Sequence, residues 1–283
     1  MKAKIIITSV LGALLILMNC ELTHRETEIE LDLELDDIGG LDKAAILESV
    51  FFVDHTSGWV VGSNGFIFHT SNGGWSWSRQ SSDTTFRLLS IYFIDYDNGW
   101  VVGDLGLIMR TIDGGKSWDP QPSGTDESLK SVHFTDYDNG WAVGNNGLIL
   151  HTSDGGIGWD PQPSGTDETL KSIYFTDSDN GWTVGSNGLI LHTSDSGQNW
   201  RQQPSETHLW LLSVHFTDIN TGWAVGHRGL ILHTSDGGKN WRQQPAGTTI
   251  WLRAVHFSDS VTGWAVGREG LVLHTSDGES WFW

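Results

Sequence analysis

Apolar and polar residues alternate along this chain in short bursts, and the bursts recur at a fixed spacing. In one stretch, four β-prone runs (Ser131 to Phe134, Trp141 to Gly144, Leu148 to Thr152 and Trp159 to Gln162) are separated by turn residues, which predicts antiparallel hairpins rather than βαβ units. Asn139-Gly140 and Asn146-Gly147 offer the positive φ needed where the chain reverses within a few residues. The same unit returns around six Gly-Trp pairs whose tryptophans, Trp59, Trp100, Trp141, Trp182, Trp223 and Trp264, stand 41 residues apart. Such a unit buries its apolar surface only against its neighbours, so fold and stability belong to the whole array.

A four-stranded sheet of about 41 residues, repeated six times, matches the blade of a β-propeller better than a solenoid. The expected fold is therefore all-β: a propeller of six four-stranded blades over residues 47–283. The sixth copy reaches only Trp281-Phe282-Trp283, so its outer strand is barely begun. Residues Thr27 to Leu35 alternate strictly, with Ile29, Leu31, Leu33 and Leu35 against Glu28, Glu30, Asp32 and Glu34. That is the pattern of a half-buried strand, and it makes residues 20–46 an acidic tether whose strand is expected to complete the last blade and lock the ring.

Residues 1–19 read as an export signal: Lys2 and Lys4 precede an apolar run from Ile5 to Met18, short for a bilayer span. Leu17-Met18-Asn19-Cys20 resembles the lipobox of bacterial lipoproteins, which would make Cys20 the lipid anchor. An ordinarily secreted protein and an uncleaved anchor are the other readings. The expected location is exported, on the periplasmic or outer envelope face. Cys20 is the single cysteine, so no internal disulfide staples the fold.

The net charge of -19 becomes -21 once Lys2 and Lys4 are removed with the signal (-19 - 2), which argues against nucleic acid as partner because phosphate binding needs a basic footprint. The 35 glycines, 16 tryptophans and 6 prolines suit many short strands joined by tight turns.

Between the third and fourth runs stands Thr-x-Asp-x-Gly-x-x-Trp, complete at Thr111 to Trp118, Thr152 to Trp159, Thr193 to Trp200 and Thr234 to Trp241. Asn72 replaces aspartate in the first copy, and the last, Thr275 to Trp281, is one residue short. The aspartate is suited to accept backbone N–H groups of its own turn, and the tryptophan to cover the hairpin. This is an Asp-box. With the Gly-Trp-Ala-Val-Gly and Gly-Leu-Ile-Leu-His-Thr runs, it closely resembles the photosystem II stability and assembly factor family of BNR-type propellers over about residues 47–283. The resemblance implies a noncatalytic exported or lumenal protein that holds a membrane-protein assembly intermediate, and seven blades as the alternative to six.

Strand parity separates two ends of such a ring. Turns joining strands one to two and three to four gather Asp95, Asp97, Asp136, Asp138, Asp177 and Asp179 with the Asp-boxes at one end. The other end varies between copies. It carries Arg87, Lys130, Lys171, Trp210, Trp251 and Arg253 leading into first strands, and His227, Arg228 and Arg268 in the turns after the second strands. Off-pattern tryptophan beside arginine is the composition of an interface hot spot, so these nine residues are the expected partner-binding set. The competing reading packs Trp210 and Trp251 under the linker.

His69, His151, His192, His233 and His274 recur once per blade, too far apart to share a metal, and are expected to be structural. His133, His215 and His256, with Tyr92 and Tyr174, fall on innermost strands where they line the channel. The Asp-x-Asp-Asn-Gly turns place glycine one position too early for a calcium loop. No metal or cofactor is expected. Sialidase-like glycoside hydrolases also carry Asp-boxes, but near-identical copies supply repeated environments where catalysis needs one asymmetric constellation. A carbohydrate-binding module is the third reading, using Trp75, Trp210, Trp251 and Trp283 as stacking platforms. The sequence reads best as a monomeric noncatalytic scaffold for a membrane-associated protein or assembly intermediate, itself touching the membrane only through its N-terminal anchor.

Overall fold

A computed structural model describes residues 46–283, which form six antiparallel sheets arranged as a six-bladed β-propeller. Blade one consists of Leu47–Phe52, Gly58–Gly62, Ile67–Thr70 and Ser78–Gln80 in that spatial order, and blades two to five repeat it. The first strands of consecutive blades adjoin, placing them innermost.

The Gly-Trp pairs explain how one blade seats on the next. A Cβ on Gly140 would stand 2.4 Å from the Phe134 ring, so that ring lies flat over the glycine of its neighbouring strand. Its other face stacks on Trp100 of the preceding blade, with ring centroids 3.6 Å apart and planes 13° off parallel. Trp159 then meets Phe134 edge-on at 5.8 Å. The positive φ expected at Asn139-Gly140 is not used there. Asp136 caps that turn instead, its Oδ1 accepting the Asn139 N–H at 2.7 Å, while Asn146 and Gly147 do take φ 54° and 65°.

Polar clamps add to each interface. The indole N–H groups of Trp59, Trp100, Trp182 and Trp223 donate to the carbonyls of Gly114, Gly155, Gly237 and Gly278 in the Asp-box of the following blade. Ser49, Ser90, Ser131, Ser172 and Ser213 each present Oγ to a backbone N–H of the following inner strand at 3.2 to 3.3 Å. Trp141 shows the dependence on sequence: Ser196 stands where the other boxes have glycine, and the buried Trp141 Nε1 has no partner among the described residues.

The seam between blades six and one differs from the other five. Blade six has Leu252–Phe257, Gly263–Gly267 and Val272–Thr275, with a single bridge between His274 and Phe282 in place of a fourth strand. Trp264 is half-buried, whereas its five counterparts are at most 1% exposed. It contacts His274 of its own blade, and no ring contact joins it to Phe52. Every residue of Leu47–Phe52 is half-buried, although the equivalents Leu88, Ile91 and Phe93 are sealed. Ala254 occupies the position of the clamping serines. The segment Thr27 to Leu35, the signal and Cys20 lie outside the described residues.

Candidate functional site

The two ends separate as parity requires. At one end the Asp-boxes meet the first turns, the Gly114 N–H donating to the Asp97 carbonyl at 3.0 Å. At the other end each second strand runs into a 3-10 turn that is tied to the residue preceding strand one: the His227 N–H donates to the Trp210 carbonyl, and the Arg268 N–H to the Trp251 carbonyl, both at 3.0 Å. These bonds fix the two tryptophans beside the variable turns.

There the side chains form a ladder across blades four, five and six. The Lys171 ammonium lies 5.2 Å from the Trp210 ring centroid, and Trp210 lies 5.2 Å from His227 in a stacked arrangement. His227 stacks on Trp251 at 3.7 Å, and the Arg268 guanidinium covers Trp251 at 4.0 Å. Trp210 remains 42% exposed, so it is not sealed under its linker. Arg228 sits exposed in the turn at φ 55°. The structure thus brings together Lys171, Trp210, His227, Trp251 and Arg268, with Arg228 in the same turn as His227.

Arg87 and Lys130 share this end but face acids. Arg87 pairs with Glu48, and Lys130 stands 3.9 Å from Asp104. Arg253 is half-buried at the mouth of the channel. Burial lowers the pKa of its guanidinium, as do the charges of Arg268 and Arg87, while Glu48 opposes the shift. Burial also lowers the Lys171 ammonium, reinforced by Lys130 and Arg253. His227 is held below its ordinary value by burial and then by Arg253, Arg268 and Lys171, so it stays neutral within a cationic field. This end therefore concentrates positive potential on an otherwise acidic molecule.

Two residues of this end escape sequence reasoning. Glu48 neutralises the Arg87 side, and its signal is being the only acid in the position that Lys130, Lys171 and Arg253 occupy in their copies. Leu105 takes φ 56° and is 57% exposed, an apolar residue where copies one, three and four place asparagine and copies five and six a charged residue in the same strained turn.

At the opposite end the carboxylates are occupied by their own turns. Asp113 Oδ1 accepts the Ser117 N–H at 2.9 Å and the Thr111 hydroxyl at 2.8 Å. Asp95 accepts the Asp97 and Asn98 N–H groups and the Tyr137 hydroxyl; burial pushes its carboxyl up, and these bonds bring it below the usual range. Along the channel a run of rings passes from Phe51 through Tyr92, His133, Tyr174 and His215 to His256, with centroids 4.6 to 4.9 Å apart. The outer histidines lie beside their cross-strand tryptophans, as His151 does on Trp141 at 4.7 Å. Among the described residues no three His, Cys, Asp or Glu side chains converge as metal ligands.

Fold and site together define a repeat β-propeller of the Asp-box class, whose scaffold is uniform and whose surface differs on one end. The sequence matches the family described as Photosynthesis system II assembly factor YCF48 over residues 37–124, 121–210 and 201–282, and the chain belongs to that family. No curated protein sequence matches it. Among solved structures it is similar to a YCF48 bound to D1 peptide, at 23% identity and a TM-score of 0.50, covering 82% of this chain and 93% of that one. It also resembles the virginiamycin B lyase from Staphylococcus aureus, at 12% identity and a TM-score of 0.71, covering 83% of each chain. A GH74 xyloglucanase from Xanthomonas campestris matches at 14% identity and a TM-score of 0.65, over 81% of this chain and 44% of the enzyme. Likenesses at these identities establish the propeller fold.

Proposed function

We propose that this protein is a noncatalytic exported scaffold that captures a segment of a membrane-associated protein or assembly intermediate across blades four to six. The observation that carries the reading is the ladder of Lys171, Trp210, His227, Trp251 and Arg268. Aromatic faces flanked by cations suit an extended peptide that brings apolar side chains together with carboxylates. Arg228 and Arg253 extend the basic surface on either side, and Arg87 and Lys130 continue it at lower net charge because acids pair with them.

Family membership supports the assembly role, and the D1 peptide held by a solved YCF48 supports a membrane-protein segment as the class of ligand. The carboxylates favour binding over hydrolysis, since Asp113 and its counterparts are engaged by their own turns rather than paired across an open cleft. The protein acts as a monomer on the periplasmic or outer envelope face, tethered through Cys20.

Affinity capture of the tagged protein from its own membranes tests this. The wild type is expected to retain one membrane-protein partner, and charge reversal at Arg228 and Arg253 to release it without changing the unfolding curve. Equal capture by the variant overturns the site. Hydrolysis of sialosides or xyloglucan by the purified protein overturns the noncatalytic role.

A further inference from the structure

The seam between blades six and one is lined by apolar side chains that the other five interfaces bury. Trp264 and Val272 are half-buried on its blade-six flank, although Trp223 and Ile231 are fully buried in the preceding copy. Leu47, Val50 and Phe52 are half-buried on its blade-one flank. Beside them, the outer edge of Val272–Thr275 is engaged among the described residues by the single His274–Phe282 bridge. The first strands of blades six and one do not adjoin as those of the other neighbouring blades do, which leaves both flanks open to an added segment. With Ala254 in place of serine, blade six lacks at this position the hydroxyl that clamps each of the other five inner strands to its neighbour.

We infer that residues 27–35 of this same chain occupy the seam, adding as a strand along Val272–Thr275 with Ile29, Leu31, Leu33 and Leu35 turned onto it. Fourth strands elsewhere are mostly exposed and polar, as Asp119–Gln121 is. One carrying four aliphatic residues needs apolar surface to cover, and the seam supplies it. The alternating acids Glu28, Glu30, Asp32 and Glu34 then face solvent.

Chain length permits the connection. Seven residues, 122–128, link Asp119–Gln121 to Leu129–Phe134, and the same passage into blade one has eleven, 36–46, ahead of Leu47. An exposed edge beside apolar surface is a liability for intermolecular pairing, which an internal strand removes.

Hydrogen exchange of the full chain tests the assignment. Amides in 29–35 and in Val272–Thr275 are expected to exchange about tenfold or more slowly than free peptide, at all protein concentrations. The pair L31D and L33D should release both segments together, while the strands of blades two to five keep their protection. Free-peptide exchange of 29–35 in the wild type overturns the inference. Protection that rises with protein concentration assigns the seam to a second copy and overturns it equally. If the double variant fails to fold, the wild-type result still decides.

Discussion

Trp223 of blade five stacks on Phe257 of blade six with ring centroids 3.5 Å apart and planes 12° off parallel, and its indole N–H reaches the Gly278 carbonyl at 3.1 Å. Trp264, the next copy, has neither kind of partner among the described residues. Identical residues in equivalent positions therefore carry unequal energies. Trp223→Ala should cost about 3–5 kcal/mol of unfolding free energy, and Trp264→Ala about half of that or less. Denaturant unfolding of the two variants checks the contrast, and equal losses would show that the seam is sealed like the other interfaces.

The serine clamps give a smaller version of the same asymmetry. Ser172 Oγ accepts the Val214 N–H across the interface at 3.2 Å, so Ser172→Ala should destabilise by about 1 kcal/mol. Ala254→Ser should bring no matching gain, because the first strand of blade one does not adjoin that of blade six as the other inner strands adjoin. Melting temperatures of the two variants read both effects.

Acid should weaken the ring through its buried imidazoles. Burial lowers the His133 pKa from 6.5 to about 4, and burial with the neighbouring His256 and His133 holds His215 well down. A base whose folded pKa is depressed favours the native state above its unfolded pKa. That contribution is lost as the pH falls from 6.5 towards 4, and for His133 it amounts to about 3 kcal/mol. Tyr92 and Tyr174 hold the equivalent positions in their copies, so His133→Tyr should fold and flatten this part of the pH profile. The carboxylates held low by their turns, such as Asp113 and Asp154, act in a separate window below 3.8. Thermal melts across these ranges separate the two, and an unchanged slope in His133→Tyr would place the acid sensitivity elsewhere.

Binding should respond unequally to similar substitutions on the variable end. Trp251→Ala removes the ring that both His227 and Arg268 stack on, and should weaken the captured partner by about 2 kcal/mol or more. Arg87→Ala should cost less, since that guanidinium already has Glu48 as partner. Titration of the captured segment against both variants measures the difference.

Much of the fold is legible in the sequence because repetition averages away local ambiguity. Six copies fix strand number, turn positions and the identity of core residues such as Trp141 and Val143. Asn139-Gly140 misleads as a turn signal because the same glycine satisfies a different demand, the flat approach of Phe134. Parity and departure from the repeat single out Trp210, Trp251 and Arg268 but carry no geometry. That His227 would insert between the tryptophans depends on where the 3-10 turn aims its side chain, which residue type alone does not state. The uneven seam is likewise visible as Ala254 only after the serine clamps are known from contacts.

Hydroxyl-radical footprinting of the tryptophans with and without the captured partner tests the central claim most directly. Trp210 and Trp251 should lose reactivity on binding, while Trp75, 79% exposed, and Trp283, 76% exposed, keep theirs. Unchanged oxidation of Trp210 and Trp251, or protection spread evenly over all copies, would contradict a binding site built from the residues that break the repeat.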